Sequence, residues 1–235
     1  VIHFRRFKLI DHKKRSQLQE NLLNLYLRLN GYFITSFIIH SPEWGKNRAE
    51  IDALAVRHPF NDEPERMIKP SLYLDVSTEY IDLLICEVKS KGQRLQFNKS
   101  LIETPDVLQS VLRWAGLFKE KEVICLTNKL LPKLQPTDKA SQDIPFIIGP
   151  RNTRIRAILC SPERWEKRNN QPWFIPGSEV FNFAHACFCP EPTRKSCSTN
   201  YDFEAWGELY TPIVKFIKDK GKVNSIKDLY EYLHI

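Results

Sequence analysis

Charge inside an apolar run is the first feature of this sequence that could do chemistry. The segment YIDLLICEVKS, residues 80–90, reads as a strand with a nearly continuous apolar centre, as in a buried strand. Glu87 and Lys89 interrupt it. Successive strand side chains point to opposite faces, so Glu87 and Lys89 share one face while Cys86 and Val88 share the other. A second segment, EIDALAVR at residues 50–57, carries Glu50 and Asp52 in the same relation. If the two strands pair, Asp52 and Glu87 converge. Charged groups are seldom buried unpaired, so two carboxylates beside a lysine make a poor core. They make a good site for a hard divalent cation. Mg²⁺ takes oxygen ligands, keeps several waters, and is commonly held by one or two carboxylates plus a phosphate. Such an ion neutralises the phosphate and lowers the pKa of a bound water. Lys89 would then stabilise the attacking hydroxide or the charge developing at phosphorus.

These residues need elements to hold them. Residues 16–30, SQLQENLLNLYLRLN, read as a helix capped by Ser16, with Leu18, Leu22, Leu25 and Leu29 in one stripe. Asn30-Gly31 stops it. YFITSFIIH, residues 32–40, is rich in aromatic and β-branched residues and reads as the first strand. Residues 50–57 and 80–90 supply the second and third, separated by a polar loop with three prolines. Thr104-Pro105-Asp106 has the form of a helix start, and Val107, Val111, Leu112, Ala115 and Phe118 give that helix an apolar face. EVICLTN, residues 122–128, is expected as a fourth strand. IPFIIG and RIRAILCS are further strands, and Ser161-Pro162-Glu163 is expected to open a short helix. FNFAHACF, residues 181–188, reads as a strand, with helices near 203–219 and 225–233. Residues 1–176 are therefore expected to form the core. Residues 177–235 form a C-terminal extension with a cysteine-bearing loop and helices.

Asp52 with the Glu87-Val88-Lys89 tripeptide, on strands in the order helix, three strands, helix, strand, resembles the PD-(D/E)xK nuclease superfamily. The resemblance covers roughly residues 15–130. It implies an α/β fold, restriction-endonuclease-like, with a mixed central β-sheet flanked by helices. It also implies Mg²⁺-dependent hydrolysis of DNA phosphodiester bonds, with Mn²⁺ able to substitute. Asp52, Glu87 and Lys89 take the catalytic positions. Glu20 on the first helix, Asp52, Glu87 and the backbone carbonyl of Val88 take the metal positions. Two departures stand out: Ile51 occupies the place of the name-giving proline, and the 35-residue step from Asp52 to Glu87 requires the proline-rich loop to be an insertion. Glu50 and Gln93 are polar candidates around this set. Gln109 falls on the side of its helix away from Val107 and Val111 and is not expected to act. A role in prokaryotic restriction, defence or DNA processing is what the resemblance suggests.

The rest of the sequence bounds this reading. It has 235 residues, 42% hydrophobic and 27% charged, enough for a substantial core. Phosphate-loop, dinucleotide-binding and nucleophile-elbow motifs are missing, which argues against nucleotide hydrolysis, hydride transfer and serine hydrolase chemistry. A formal charge of +7 suits a polyanionic partner, here double-stranded DNA. Lys91 and Arg94 follow the E-x-K tripeptide, and Arg154 with Arg156 shares a strand face; all four are candidate phosphate contacts. Cutting both strands of a duplex needs two sites, so a homodimer is expected. His185, Cys187, Cys189 and Cys197 are spaced unlike a structural zinc site, so Zn²⁺ is not expected there. Cys86, Cys125 and Cys160 lie in apolar runs and read as small buried hydrophobes. No span of about 18 apolar residues and no leader pattern is visible, so no membrane and a reducing, cytoplasmic setting are expected. The alternatives are a non-catalytic nucleic-acid-binding or assembly module on the same fold, and an RNA-directed nuclease.

Overall fold

The computed structural model describes residues 2–41, 43, 47–62, 68–135, 144–168, 171–191, 203–223 and 225–235, with only the backbone of 2–11, 47 and 203–204. A helix, α1 (Ile2–Leu29), precedes three strands, β1 (Phe33–His40), β2 (Asn47–Arg57) and β3 (Ile81–Val88). Three helices follow: α2 (Lys99–Glu103), α3 (Pro105–Trp114) and α4 (Glu120–Leu134). Then come β4 (Phe146–Gly149), β5 (Thr153–Ser161) and the two-residue β6 (Ile175–Pro176). The chain ends with α5 (Gly177–Phe188), α6 (Thr211–Lys220) and α7 (Ile226–Tyr232).

The result is an α/β protein with one mixed six-stranded sheet flanked by helices, in the order β1-β2-β3-β5-β4 with β6 beside β5. β1, β2 and β3 are antiparallel neighbours. β3 and β5 run parallel, with Asp82 opposite Arg154 and Cys86 opposite Ile158. A parallel pair needs a crossover, and here α2, α3 and α4 supply it. β3 and β5 are the sheet's buried centre: all nine residues of β5 are buried. On one face Leu84, Cys86 and Ile158 meet Leu22 and Tyr26 of α1, Phe181 of α5, Phe216 of α6 and Leu229 of α7. On the other, Leu83, Ile85 and Ala157 meet Leu108 and Val111 of α3 and Leu126 and Leu130 of α4.

Several expected elements differ. The first helix begins at Ile2, not at Ser16. Ser16 is an interior residue whose hydroxyl reaches Glu20 at 3.4 Å, because the lysines and arginine before it are good helix formers that give no reason to stop. Residues 122–128 lie in α4 and are not a strand. Val123, Leu126, Thr127, Leu130 and Leu134 are its buried residues, a helical spacing that the β-branched cluster masked. Cys125 is therefore exposed, not a core residue. Residues 181–188 lie in α5, which buries Val180, Phe183, Ala184 and Phe188 at intervals of three and four. The alternation Phe181, Phe183 had suggested a strand. Ser161-Pro162-Glu163 makes a single turn, with the Arg164 N–H donating to the Ser161 carbonyl, and opens no helix. The expected helix near 203–219 resolves into a short 3-10 turn, Phe203–Trp206, and α6. Among the described residues, no helix is long and apolar enough to cross a membrane.

Candidate active site

The site forms at the end of the sheet where β2 and β3 part. Regular β2–β3 pairing stops at Ala53 opposite Cys86. One residue further on, the Asp52 carboxylate takes over the ladder: its Oδ2 accepts the Val88 N–H at 2.7 Å. A β-bulge sets its position. Thr35 pairs with Leu54 and Phe37 with Ile51, so Asp52 and Ala53 oppose Ser36 alone. The extra residue resets the alternation. Ile51 and Leu54 both enter the core under α2–α4, and Ala53 and Ala55 enter the core under α1.

Three carboxylates, Glu20, Glu50 and Asp52, stand close enough at this end of the sheet to feel one another's charge. Burial, and then the charges of Asp52 and Glu50, push the Glu20 carboxyl up to about 7. Glu20 is half-buried, and among the described residues its hydrogen bonds are long ones, from Ser16 and Gln17 at 3.4 Å each. Burial raises Asp52 as well, against the Val88 N–H and the Lys89 charge, which favour its ionised form. Glu50 is exposed, on the rim of a groove between β1 and α3.

Glu87 continues the face of Leu83 and Ile85, toward α2. It is fully buried, and Lys89 is only 6% exposed. Lys89 Nζ lies 2.7 Å from Glu87 Oε2, confirming that the two side chains share a face. Asn98, at the N-terminus of α2, fastens both: its N–H donates to Glu87 Oε2 at 2.8 Å, and its Oδ1 accepts from Lys89 Nζ at 2.7 Å. Both bonds to Glu87 thus fall on one oxygen. The other, Oε1, is buried without any hydrogen-bond partner. Burial raises the Glu87 pKa although Lys89 opposes the shift, and Asp52 adds to it.

The loop after β3 is held from outside. Arg164 donates to the carbonyls of Ser90 at 2.9 Å, Lys91 at 2.8 Å and Gln93 at 2.6 Å, and to Ser161 Oγ at 2.7 Å. Ser161 Oγ in turn donates to the Lys89 carbonyl at 2.5 Å. Gln93 folds back within the loop, its Oε1 accepting the Ser90 N–H. The buried Gln19 of α1 donates to Ser90 Oγ at 3.2 Å, and its own Oε1 is unpartnered. Asn98, Arg164 and Gln19 were missed by sequence reasoning. Asn98 had one local signal, its suitability as a helix N-cap; the other two act across the fold.

The remaining expected residues lie elsewhere. Lys91 and Arg94 are exposed in the loop after β3. Arg154 and Arg156 share a face, but that face is buried. Both guanidinium groups pair with Asp82; Arg154 also bonds Asp75, and Arg156 the Tyr32 hydroxyl. Gln109 accepts from Arg113 at 3.1 Å on α3. His185 and Cys187 sit on α5 and Cys189 at its end, its thiol directed at the Ile217 carbonyl; Cys197 lies outside the described residues.

Two demands at this end of the sheet are unmet. One is the partnerless Oε1 of Glu87; the other is the mutual repulsion of Glu20, Glu50 and Asp52. Among the described residues no group of three or more acidic, histidine or cysteine side chains is placed to hold a metal ion. Mg²⁺ does not need one, since it completes its shell with water and substrate oxygens. Comparison with protein-family models, with curated protein sequences and with solved structures returned no match.

Proposed function

We propose that the chain is a metal-dependent nuclease of the PD-(D/E)xK type, with Mg²⁺ as its ion and Mn²⁺ as a substitute. The observation that carries this reading is the bare, buried Oε1 of Glu87, a carboxyl that also feels the charges of Lys89 and Asp52. A buried carboxylate oxygen without a donor costs several kcal/mol unless something binds it. The order of elements supports the same reading: a helix, three antiparallel strands, a helical crossover, then a strand parallel to the third. That strand is β5, with residues 122–128 lying in the crossover.

Glu20, Asp52, Glu87 and the Val88 carbonyl would hold the ion, with Glu50 beside them. When bound, the ion supplies charge neutralisation at phosphate and a more acidic water. The protein's own groups do the rest. Asp52 and Glu87 fix the direction from which a phosphodiester is approached. Lys89, anchored by Asn98, places a positive charge where charge develops at phosphorus. Double-stranded DNA is the substrate the resemblance implies, and a homodimer would bring two sites to it.

One observation favours a second reading, a non-catalytic nucleic-acid-binding module: Lys89 is already buried and paired with Glu87. The deciding experiment is cleavage of supercoiled plasmid and linear duplex with Mg²⁺, Mn²⁺ or chelator, by wild type, Asp52→Asn and Lys89→Ala. Asn at 52 can still accept the Val88 N–H, so that variant keeps the fold. Metal-dependent cleavage lost in both variants is the expected result. Salt-sensitive binding without cleavage in any metal would move the assignment to the binding module. Cleavage surviving both substitutions would place the chemistry elsewhere.

A further inference from the structure

The loop carrying Lys91 is one wall of a groove of about 780 Å³ whose other walls come from residues 162–168 and 171 and from the start of α7. Arg15, Lys91, Arg164, Lys167, Arg168 and Lys227 line it. Two carboxylates, Glu163 and Glu166, stand among them. Glu163 is already engaged as a strut: its Oε2 accepts the Lys91 N–H at 2.7 Å and its Oε1 the Tyr230 hydroxyl at 3.0 Å. It ties α7 to the loop after Lys89. Arg164 serves that loop's carbonyls, and Arg15 stacks over the Tyr230 ring. Lys91, Lys167, Arg168 and Lys227 extend from three separate parts of the chain into one concavity, with exposed or half-exposed side chains. Like charges gathered by tertiary structure repel one another, and a polyanion relieves that repulsion.

We propose that this groove binds the sugar–phosphate backbone of a polynucleotide strand and leads it toward Lys89, with α7 of the C-terminal segment as one wall. The choice of a polynucleotide rests on the nuclease reading, because the groove opens two residues beyond Lys89. The concave form favours a strand over a lipid surface, which is too flat to enter it. Each phosphate neutralised releases condensed counterions, so every groove cation used should appear in the salt dependence of binding.

The test is equilibrium binding of a labelled single strand and a labelled duplex by the full chain, in chelator, over a range of salt. The groove variant K167Q/R168Q/K227Q is compared with K121Q/K129Q/K133Q, which removes the same charge from α4. The slope of log affinity against log salt should become shallower by about 2–3 for duplex and by about 2 for single strand in the groove variant only. The variant K167R/K227R should keep the wild-type slope, which separates charge from fold. Equal losses in both neutralised variants, or in neither, would overturn the groove. So would anionic vesicles depending on it while nucleic-acid binding does not. Wild-type cleavage with Mg²⁺ is scored separately. A groove-dependent slope without cleavage supports the groove and removes the catalytic reading. Cleavage with a slope indifferent to the groove removes the groove and leaves the catalytic reading standing.

Discussion

Glu87 places both its bonds on Oε2, leaving Oε1 bare in the interior, while Glu20 across the sheet end has, among the described residues, two long bonds to its own helix. Such residues are held by the fold at a cost. For Glu20 the cost has a pH signature. Burial and the neighbouring Asp52 and Glu50 raise its carboxyl from 4.5 to about 7. Between those values the folded chain holds a proton that the unfolded chain has released, so stability falls as pH rises through the window. Below about 4.5 both states are protonated, and above about 7 both are ionised with the full penalty in place. Discounted for solvent screening of a half-exposed group, this residue should cost about 1–2 kcal/mol between pH 4.5 and 7. Urea unfolding in chelator at a series of pH values should show that fall, and Glu20→Gln should flatten it. An unchanged profile in the variant would mean that Glu20 titrates as an ordinary surface acid.

At the scale of elements, the loop after β3 has no regular structure of its own. Its shape is imposed by Arg164, whose two Nη groups reach the carbonyls of Ser90, Lys91 and Gln93 together with Ser161 Oγ. Burial pushes the Arg164 pKa down, a cost accepted to hold the loop. Lysine has one ammonium where arginine has a planar fork, so Arg164→Lys cannot reproduce this set. On the nuclease reading it should lower cleavage by about 10- to 100-fold, as outer-shell changes at metal sites do. Hydrogen exchange should quicken at residues 90–93 and stay slow in β3. Exchange unchanged in the loop would remove its positioning role. The same contrast separates what was legible in the sequence from what was not. Alternation placed Glu87 and Lys89 on one face because strand period is local. The convergence of Asp52 on β3 was legible because the two segments are antiparallel neighbours. The bulge at Asp52 was hidden, since it depends on how β1 pairs with β2. Arg164 and Asn98 were hidden because their partners in β3 and the loop after it lie 9 to 75 residues away. Helix α4 was misread because Val123 and Ile124 favour strands locally, while Leu126, Leu130 and Leu134 complete a helical face whose value appears only in the core it covers.

Across the whole molecule, a positively charged chain places four of its acids, Glu20, Glu50, Asp52 and Glu87, at one end of its sheet. On the nuclease reading, the net charge of +7 would draw a polyanion from a distance and the acids at the sheet end would draw a cation locally. The two demands are compatible only if the molecule holds the groups in fixed relation, and the C-terminal helices contribute to that. Phe181, Phe216 and Leu229 of α5, α6 and α7 lie in one core with Leu22 and Tyr26 of α1, the helix that carries Glu20. Phe216 is fully buried and edge-on to Phe181 at 6.4 Å. Loosening α6 should therefore be felt at the carboxylates through the shared core. Phe216→Ala should cost about 3–5 kcal/mol, and it should do so in a single transition. Tryptophan fluorescence and far-ultraviolet circular dichroism should move together along the urea curve, because α1 cannot keep its packed face once α6 is released. Two separated transitions, with the sheet surviving the first, would show instead that residues 177–235 unfold on their own and leave the site intact.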